Sequence, residues 1–136
     1  MKYFLAKTDP ETYSIEQLEK DKRTVWDGVT NAQAVRAIKE MRTGDRIFVY
    51  HSGGASAIVG LARVVSDARP DPKNPKSAVA EFEFAGRLDP PLTLAEIKQS
   101  KLFDDWALVR QGRLSTMAVP ESFVEWIRKK YPHAKI

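Results

Sequence analysis

Two neighbouring apolar stretches, residues 46–52 and 57–65, constrain the fold of this chain most. In the first, Ile47, Val49 and His51 share one face and Phe48, Tyr50 and Ser52 the other, the period of a β-strand. Gly53-Gly54 supplies a flexible turn. The second stretch is nearly all small and β-branched, as expected of a strand covered on both sides. Around this pair the sequence predicts short elements. Residues 3–6 read as a buried strand, broken by Pro10, which holds Asp9 extended. Residues 24–26 read as a brief extended piece. In residues 78–84, Ala80, Phe82 and Phe84 alternate with Val79, Glu81 and Glu83 and are expected to point inward.

The expected helices are short and sit at strand ends. Ser14-Ile15-Glu16-Gln17 and Thr93-Leu94-Ala95-Glu96 have the spacing of capping boxes. Ala34, Ala37, Ile38 and Met41 form the stripe of an amphipathic helix, opposite Gln33, Arg36, Lys39 and Glu40. Pro120 suits the first turn of a last helix that buries Phe123, Val124, Ile127 and Tyr131. Pro70, Pro72 and Pro75 make residues 69–76 a loop, and residues 108–119 read as a loop leading into a strand. No strand–helix–strand rhythm appears. The expected class is therefore α+β: a mixed, mostly antiparallel sheet of about five or six strands, curled into a barrel with short flanking helices. The 136 residues suit one domain, residues 1–136, around one core.

Composition narrows the function. No apolar run approaches the roughly 18 residues of a membrane-spanning helix, and the apolar run at the N-terminus is too short for a signal peptide. Cysteine is absent, which excludes disulfides, thiolate metal sites and a cysteine nucleophile, and fits a cytoplasmic chain. The net charge of +4 permits nucleic-acid binding but is modest. Part of it lies in Arg128-Lys129-Lys130, where a solvated helix end is the simpler reading.

Residues 26–34 carry the most suggestive local pattern. Trp26 precedes the turn dipeptide Asp27-Gly28, then two N-cap candidates, Thr30 and Asn31, and the helix. A tryptophan beside outward-pointing N–H groups can form a slot for a flat, polar ligand. It can equally be an ordinary helix start with its tryptophan in the core, and taken alone the stretch favours the core. Trp106 and Trp126 also read as core. His51 lies on the opposite strand face from Ser52, so it cannot serve that hydroxyl as a base. No nucleophile elbow, phosphate loop or zinc-binding helix pattern is present, and the histidines and carboxylates suggest no metal site. Arg110 and Arg113 flank Gly112 and can grip a phosphate or a base edge, or simply be solvated. Lys7 and Asp9 stand where the first strand ends.

The joint pattern carries more than any one motif. Lys7-Thr8-Asp9-Pro10, Tyr13-Ser14-Ile15, Val25-Trp26-Asp27-Gly28-Val29, Asn31 with Gln33-Ala34, Gly44-Asp45, Tyr50-His51-Ser52, Ile58-Val59-Gly60, Pro70-Asp71-Pro72 and residues 110–115 occur in that order. Together they resemble the EVE domain family, a branch of the PUA-like fold related to YTH and ASCH domains, over almost the whole chain. The resemblance implies a pseudo-barrel with a pocket at one end that binds a modified nucleobase in DNA or RNA. It implies a reader without catalysis, cofactor or membrane, and names no protein partner. By the same resemblance Trp26 would stack on the base and Asn31 would bond its edge. Tyr50, His51 and Ser52 would line the floor, Lys7 and Asp9 the rim, and Arg110, Arg113 and Ser115 would close the pocket. The chain departs from the family pattern at Thr8-Asp9, where Ser-Glu is commoner. It also departs at Thr30, Ala32 and Val35, where the family often has two arginines and a tyrosine. Two alternative functions stand beside the reader: a sensor of a small molecule or nucleotide, and an ASCH-like hydrolase of nucleotides or RNA using Lys7, Asp9, His51 and Arg110.

Overall fold

A computed structural model describes residues 1–136. The apolar pair at its centre forms β3 (Arg46–His51) and β4 (Ala57–Val64), antiparallel, with a bulge between Val49 and Tyr50. Ile47, Phe48, Val49 and Tyr50 are all buried, so β3 is covered on both faces. β1 (Tyr3–Thr8) lies beside β3 and runs parallel to it, from Tyr3 opposite Arg46 to Thr8 opposite His51. A parallel pair cannot be joined by a tight turn. The chain crosses over instead, through α1 (Ile15–Asp21), β2 (Arg23–Trp26) and α2 (Ala32–Lys39). Asp45 closes the crossover. Its buried carboxylate accepts the backbone N–H of Lys2 at 2.9 Å and that of Arg42 at 3.0 Å, pinning the start of β1 to the start of β3.

The sheet has seven strands against the expected five or six, and β5 is the addition. Residues 69–76 are not a loop: β5 (Arg69–Asp71) pairs with the start of β6 (Asn74–Thr93). The prolines are tolerated because Pro70 lies on an edge strand and Pro75 sits where the register shifts and has no ladder partner. β6 also runs well beyond residues 78–84, pairing in turn with β5, β2 and β4, with further register shifts opposite β4. The strand order is β2-β6-β4-β3-β1-β7, with β7 (Thr116–Ala118) at one end.

The barrel is corrected as well: the sheet is open, with no ladder joining β2 to β7. Helix α2 packs against both β6 and β7. Its stripe Ala34, Ala37, Ile38 and Met41 is buried as expected, with Val35 beside it.

The remaining helices are α3 (Leu94–Ser100), α4 (Ala107–Arg110) and α5 (Glu121–Lys130). Thr93 makes a complete capping box with Glu96. Ser14 accepts the Gln17 N–H, but the Gln17 side chain turns away to Asp21, so that box is half formed. Helix α4 occupies part of the expected loop, and Pro120 caps α5 from just outside its first turn. Phe103, Trp106, Phe123 and Trp126 form an aromatic cluster, with the Trp106 indole N–H donating to the Ala118 carbonyl at 3.0 Å. No helix is long and apolar enough to cross a membrane.

At Gly60 the Ile15 side chain, at the start of α1, packs directly on the sheet backbone. A Cβ there would stand 2.7 Å from Ile15 Cγ1 and 3.0 Å from the Gly86 carbonyl oxygen. Gly60→Ala is expected to destabilise the chain by about 1–3 kcal/mol, the usual range for overpacking. Urea unfolding followed by circular dichroism checks this.

Candidate functional site

The parallel pairing brings the C-terminal ends of β1 and β3 to the same end of the sheet. The connection from β1 to α1, β2 with the turn that follows it, and the loop before β7 converge there with β1. They enclose a groove of about 550 Å³, lined by Lys7, Thr8, Asp9, Thr12, Tyr13, residues 24–31, Arg113 and Ser115.

Trp26 ends β2 and walls this groove while remaining only 8% exposed. One ring face stacks on Phe82, with centroids 5.0 Å apart, and Tyr13 meets it edge-on at 6.2 Å. The core reading and the ligand reading of Trp26 therefore describe the same side chain: packing holds the ring, and the groove takes what remains exposed. After it the chain turns through Gly28, whose φ of +78° is left-handed and suits glycine. The buried Ser77 hydroxyl donates to the Val29 carbonyl, which ties this turn to the β5–β6 hairpin. Asn31 then caps α2, its side-chain oxygen accepting the N–H groups of Gln33 at 2.9 Å and Ala34 at 3.1 Å. The outward N–H groups suggested by the sequence are thus partly spent on the cap. The Asn31 amide group donates to no protein atom and remains available at the groove.

Lys7 contributes the best-held charge. Its ammonium donates to the Gly112 carbonyl at 3.0 Å and stands 5.3 Å from the centroid of the Tyr50 ring. Partial burial holds its pKa below the ordinary lysine value, because desolvation disfavours the charged form. No carboxylate pairs with it, and none pairs with Arg113. Lys7 and Asp9 form no ion pair with each other: Asp9 accepts the Glu11 N–H at 2.9 Å and shapes the turn before α1. Asp27 lines the groove, exposed, without a protein partner. Lys7 and Arg113 therefore face Asp9 and Asp27, and the groove is polar and evenly charged.

Of the residues singled out in the sequence, Lys7, Asp9, Trp26, Asn31, Arg113 and Ser115 meet at this groove. Tyr50, His51, Ser52 and Arg110 do not line it. Tyr50 is buried beneath Lys7, and burial pushes its phenol above the ordinary tyrosine value. Ser52 continues the β1–β3 ladder through its N–H to the Thr8 carbonyl. Arg110 ends α4 and reaches Asp105 at 3.4 Å, because the helix replaces the loop on which it was expected. Thr12, Tyr13, Thr24 and Asp27 were not singled out. Only Tyr13 and Asp27 fell within ordered motifs, and nothing in a single sequence marked the two threonines.

His51 holds the fold beside the groove. Its Nε2 accepts the Ile15 N–H at 3.0 Å, which requires the neutral ring and anchors the first turn of α1. Burial lowers its pKa from the ordinary 6.5, opposed by Glu16 and reinforced by Arg87. The unfolded chain therefore takes up the proton first as pH falls. The stability contributed by neutral His51 is present above its unfolded pKa and is lost below it. The melting temperature is expected to fall between about pH 7.5 and about pH 5.5. His51→Gln, which keeps an acceptor for Ile15 without titrating, is expected to flatten that profile. Thermal melts across this range check it.

The EVE domain family model matches residues 2–130. Thymocyte nuclear protein 1 of Rattus norvegicus is 31% identical over 124 residues, covering 71% of this chain and 55% of that protein. The chain thus spans about half the length of this relative. A Rhodopseudomonas palustris protein solved by NMR is 30% identical, covers all of both chains and superposes with a TM-score of 0.89. The human THYN1 protein, crystallised in complex with DNA containing 5-methylcytosine, superposes with a TM-score of 0.87 over 96% of this chain and 97% of that one, at 24% identity. With the match running through β1, the crossover and the groove to the end of α5, this chain belongs to the EVE domain family.

Proposed function

We propose that this chain is a non-catalytic module that binds a modified nucleobase of DNA or RNA in the Trp26 groove. The observation that carries the reading is the pairing of an aromatic wall with polar groups: Trp26 beside the Asn31 amide, Asp27, Arg113 and the Ser115 hydroxyl, all at one groove. An unstacked base is recognised by stacking on an aromatic ring and by hydrogen bonds along its edge. A carboxylate such as Asp27 accepts from an exocyclic amine, and the amide of Asn31 donates to a ring nitrogen or carbonyl. The 5-methylcytosine-containing DNA bound by the human THYN1 protein supports DNA as the first polymer to test. The reading needs no cofactor. It also leaves His51, engaged with Ile15, outside the chemistry that a hydrolase would need. The cytoplasm stands as the proposed compartment, whereas thymocyte nuclear protein 1 carries a nuclear name.

A second reading, a sensor of a free nucleoside or other small polar molecule, is favoured by the charge balance of the groove. Lys7 and Arg113 are offset by Asp9 and Asp27, so the groove itself has little pull on a polyanion. Free 5-methyl-2′-deoxycytidine and oligonucleotides containing it separate the two readings.

Tryptophan-fluorescence titrations with short DNA and RNA strands, each with one central cytosine or 5-methylcytosine, test the proposal. Trp26→Leu keeps apolar bulk against Phe82 but offers no ring to stack on. It is expected to weaken binding of the modified strand by roughly 1–3 kcal/mol, about 5- to 150-fold. Arg113→Gln, at an exposed position, is expected to weaken it without affecting folding. Unchanged affinity in both folded variants would mean that the groove is not where the base sits.

A further inference from the structure

A second groove, of about 590 Å³, lies on the other side of the same wall. The wall is the segment before β7 together with the start of α2. Residues alternate along it: Arg113 and Ser115 open to the Trp26 groove, while Leu114 and Thr116 open to the second one. Asn31 likewise faces the first groove and Gln33 the second.

The charge of the second groove differs from that of the first. Arg36 and Lys39 stand one turn apart on the outer face of α2 and line it. Neither takes part in an ion pair. The one acid in the lining, Glu40, lies 4.0 Å from the Lys2 ammonium and is partly offset by it. The groove therefore holds a net positive charge with unused hydrogen-bonding capacity. A guanidinium beside an ammonium is the donor set that suits phosphate oxygens. A base drawn into the Trp26 groove leaves its sugar and flanking phosphates at the rim. Of the two grooves that share this wall, the second is the one whose cations outnumber its acids.

We infer that Arg36 and Lys39 form a phosphate-binding track for the strand whose base occupies the Trp26 groove, an inference that rests on the base-binding reading above. The excess of positive charge that the Trp26 groove lacks is supplied by the neighbouring face of α2. Base contacts then set specificity, and this track sets affinity and its salt dependence.

The test is the double variant Arg36→Gln/Lys39→Gln in the full chain. Three probes are compared: a single-stranded oligonucleotide with one central 5-methylcytosine, free 5-methyl-2′-deoxycytidine, and its 5′-monophosphate. For the oligonucleotide, affinity is expected to fall about 10- to 30-fold near 0.1 M salt, and the slope of log affinity against log salt to drop by about 1.4. Affinity for the free nucleoside is expected to stay the same. A matching loss for the monophosphate assigns the track to the bound nucleotide's own phosphate; a loss confined to the oligonucleotide assigns it to neighbouring phosphates. Either supports a phosphate site. Unchanged oligonucleotide affinity and slope would overturn the inference while leaving base binding intact. Wild-type protein that binds none of the three probes would instead overturn the base-binding reading.

Discussion

The parallel pairing of β1 with β3 is the constraint on which the rest of the structure depends. Parallel neighbours demand a crossover, and here the crossover is everything from Asp9 to Asp45. That segment carries α1, β2, the Trp26–Asn31 turn and α2, and so supplies most of the groove wall. The buried Asp45 carboxylate fastens the far end of this long excursion to the start of β1. At the opposite end, Thr8 faces His51 across the ladder, and the His51 ring holds the first turn of α1. The groove is thus bounded by a crossover that backbone pairing demands and that the side chains of Asp45 and His51 fix at its two ends.

Trp26 shows how one residue can belong to core and site together. Stacking on Phe82 and the edge contact with Tyr13 hold its ring in place without a ligand. A ring already ordered costs little further side-chain entropy on binding, which favours a small, flat partner. The same economy appears in Asn31, whose oxygen caps α2 while its amide group stays free. Lys7 binds the Gly112 carbonyl, covers Tyr50 and still presents an unpaired charge. These side chains are positioned by structural duties, and the groove uses what those duties leave over.

Much of this was legible in the sequence, for physical reasons that differ from residue to residue. The α2 stripe and the Thr93 capping box follow from local periodicity and local hydrogen bonding, and both formed as read. The α+β class followed from the lack of strand–helix alternation. Pairing between distant segments was harder to read. Pro70 and Pro75 argued for a loop because proline lacks a donor, yet an edge position and a register shift remove the need for one. The barrel stayed open because α2 packs on β6 and β7 where a closing ladder would run, a tertiary choice that no local pattern encodes. At the site, motif order brought Lys7, Asp9, Trp26, Asn31, Arg113 and Ser115 to notice. Tyr50 and His51 sit one layer below, since strand alternation fixes a face but not its depth. Arg110 was misplaced with the short helix α4.

The most direct test of where the ligand sits is an amide and indole NMR titration of the full chain. The probe is a short DNA strand with one central 5-methylcytosine, with the cytosine strand as control. Saturable shifts at the Trp26 indole, at the amides of residues 27–31 and at residues 113–115, larger for the modified strand, are the expected result. Shifts confined to the basic end of α5, or equal for both strands, would contradict a base-reading groove.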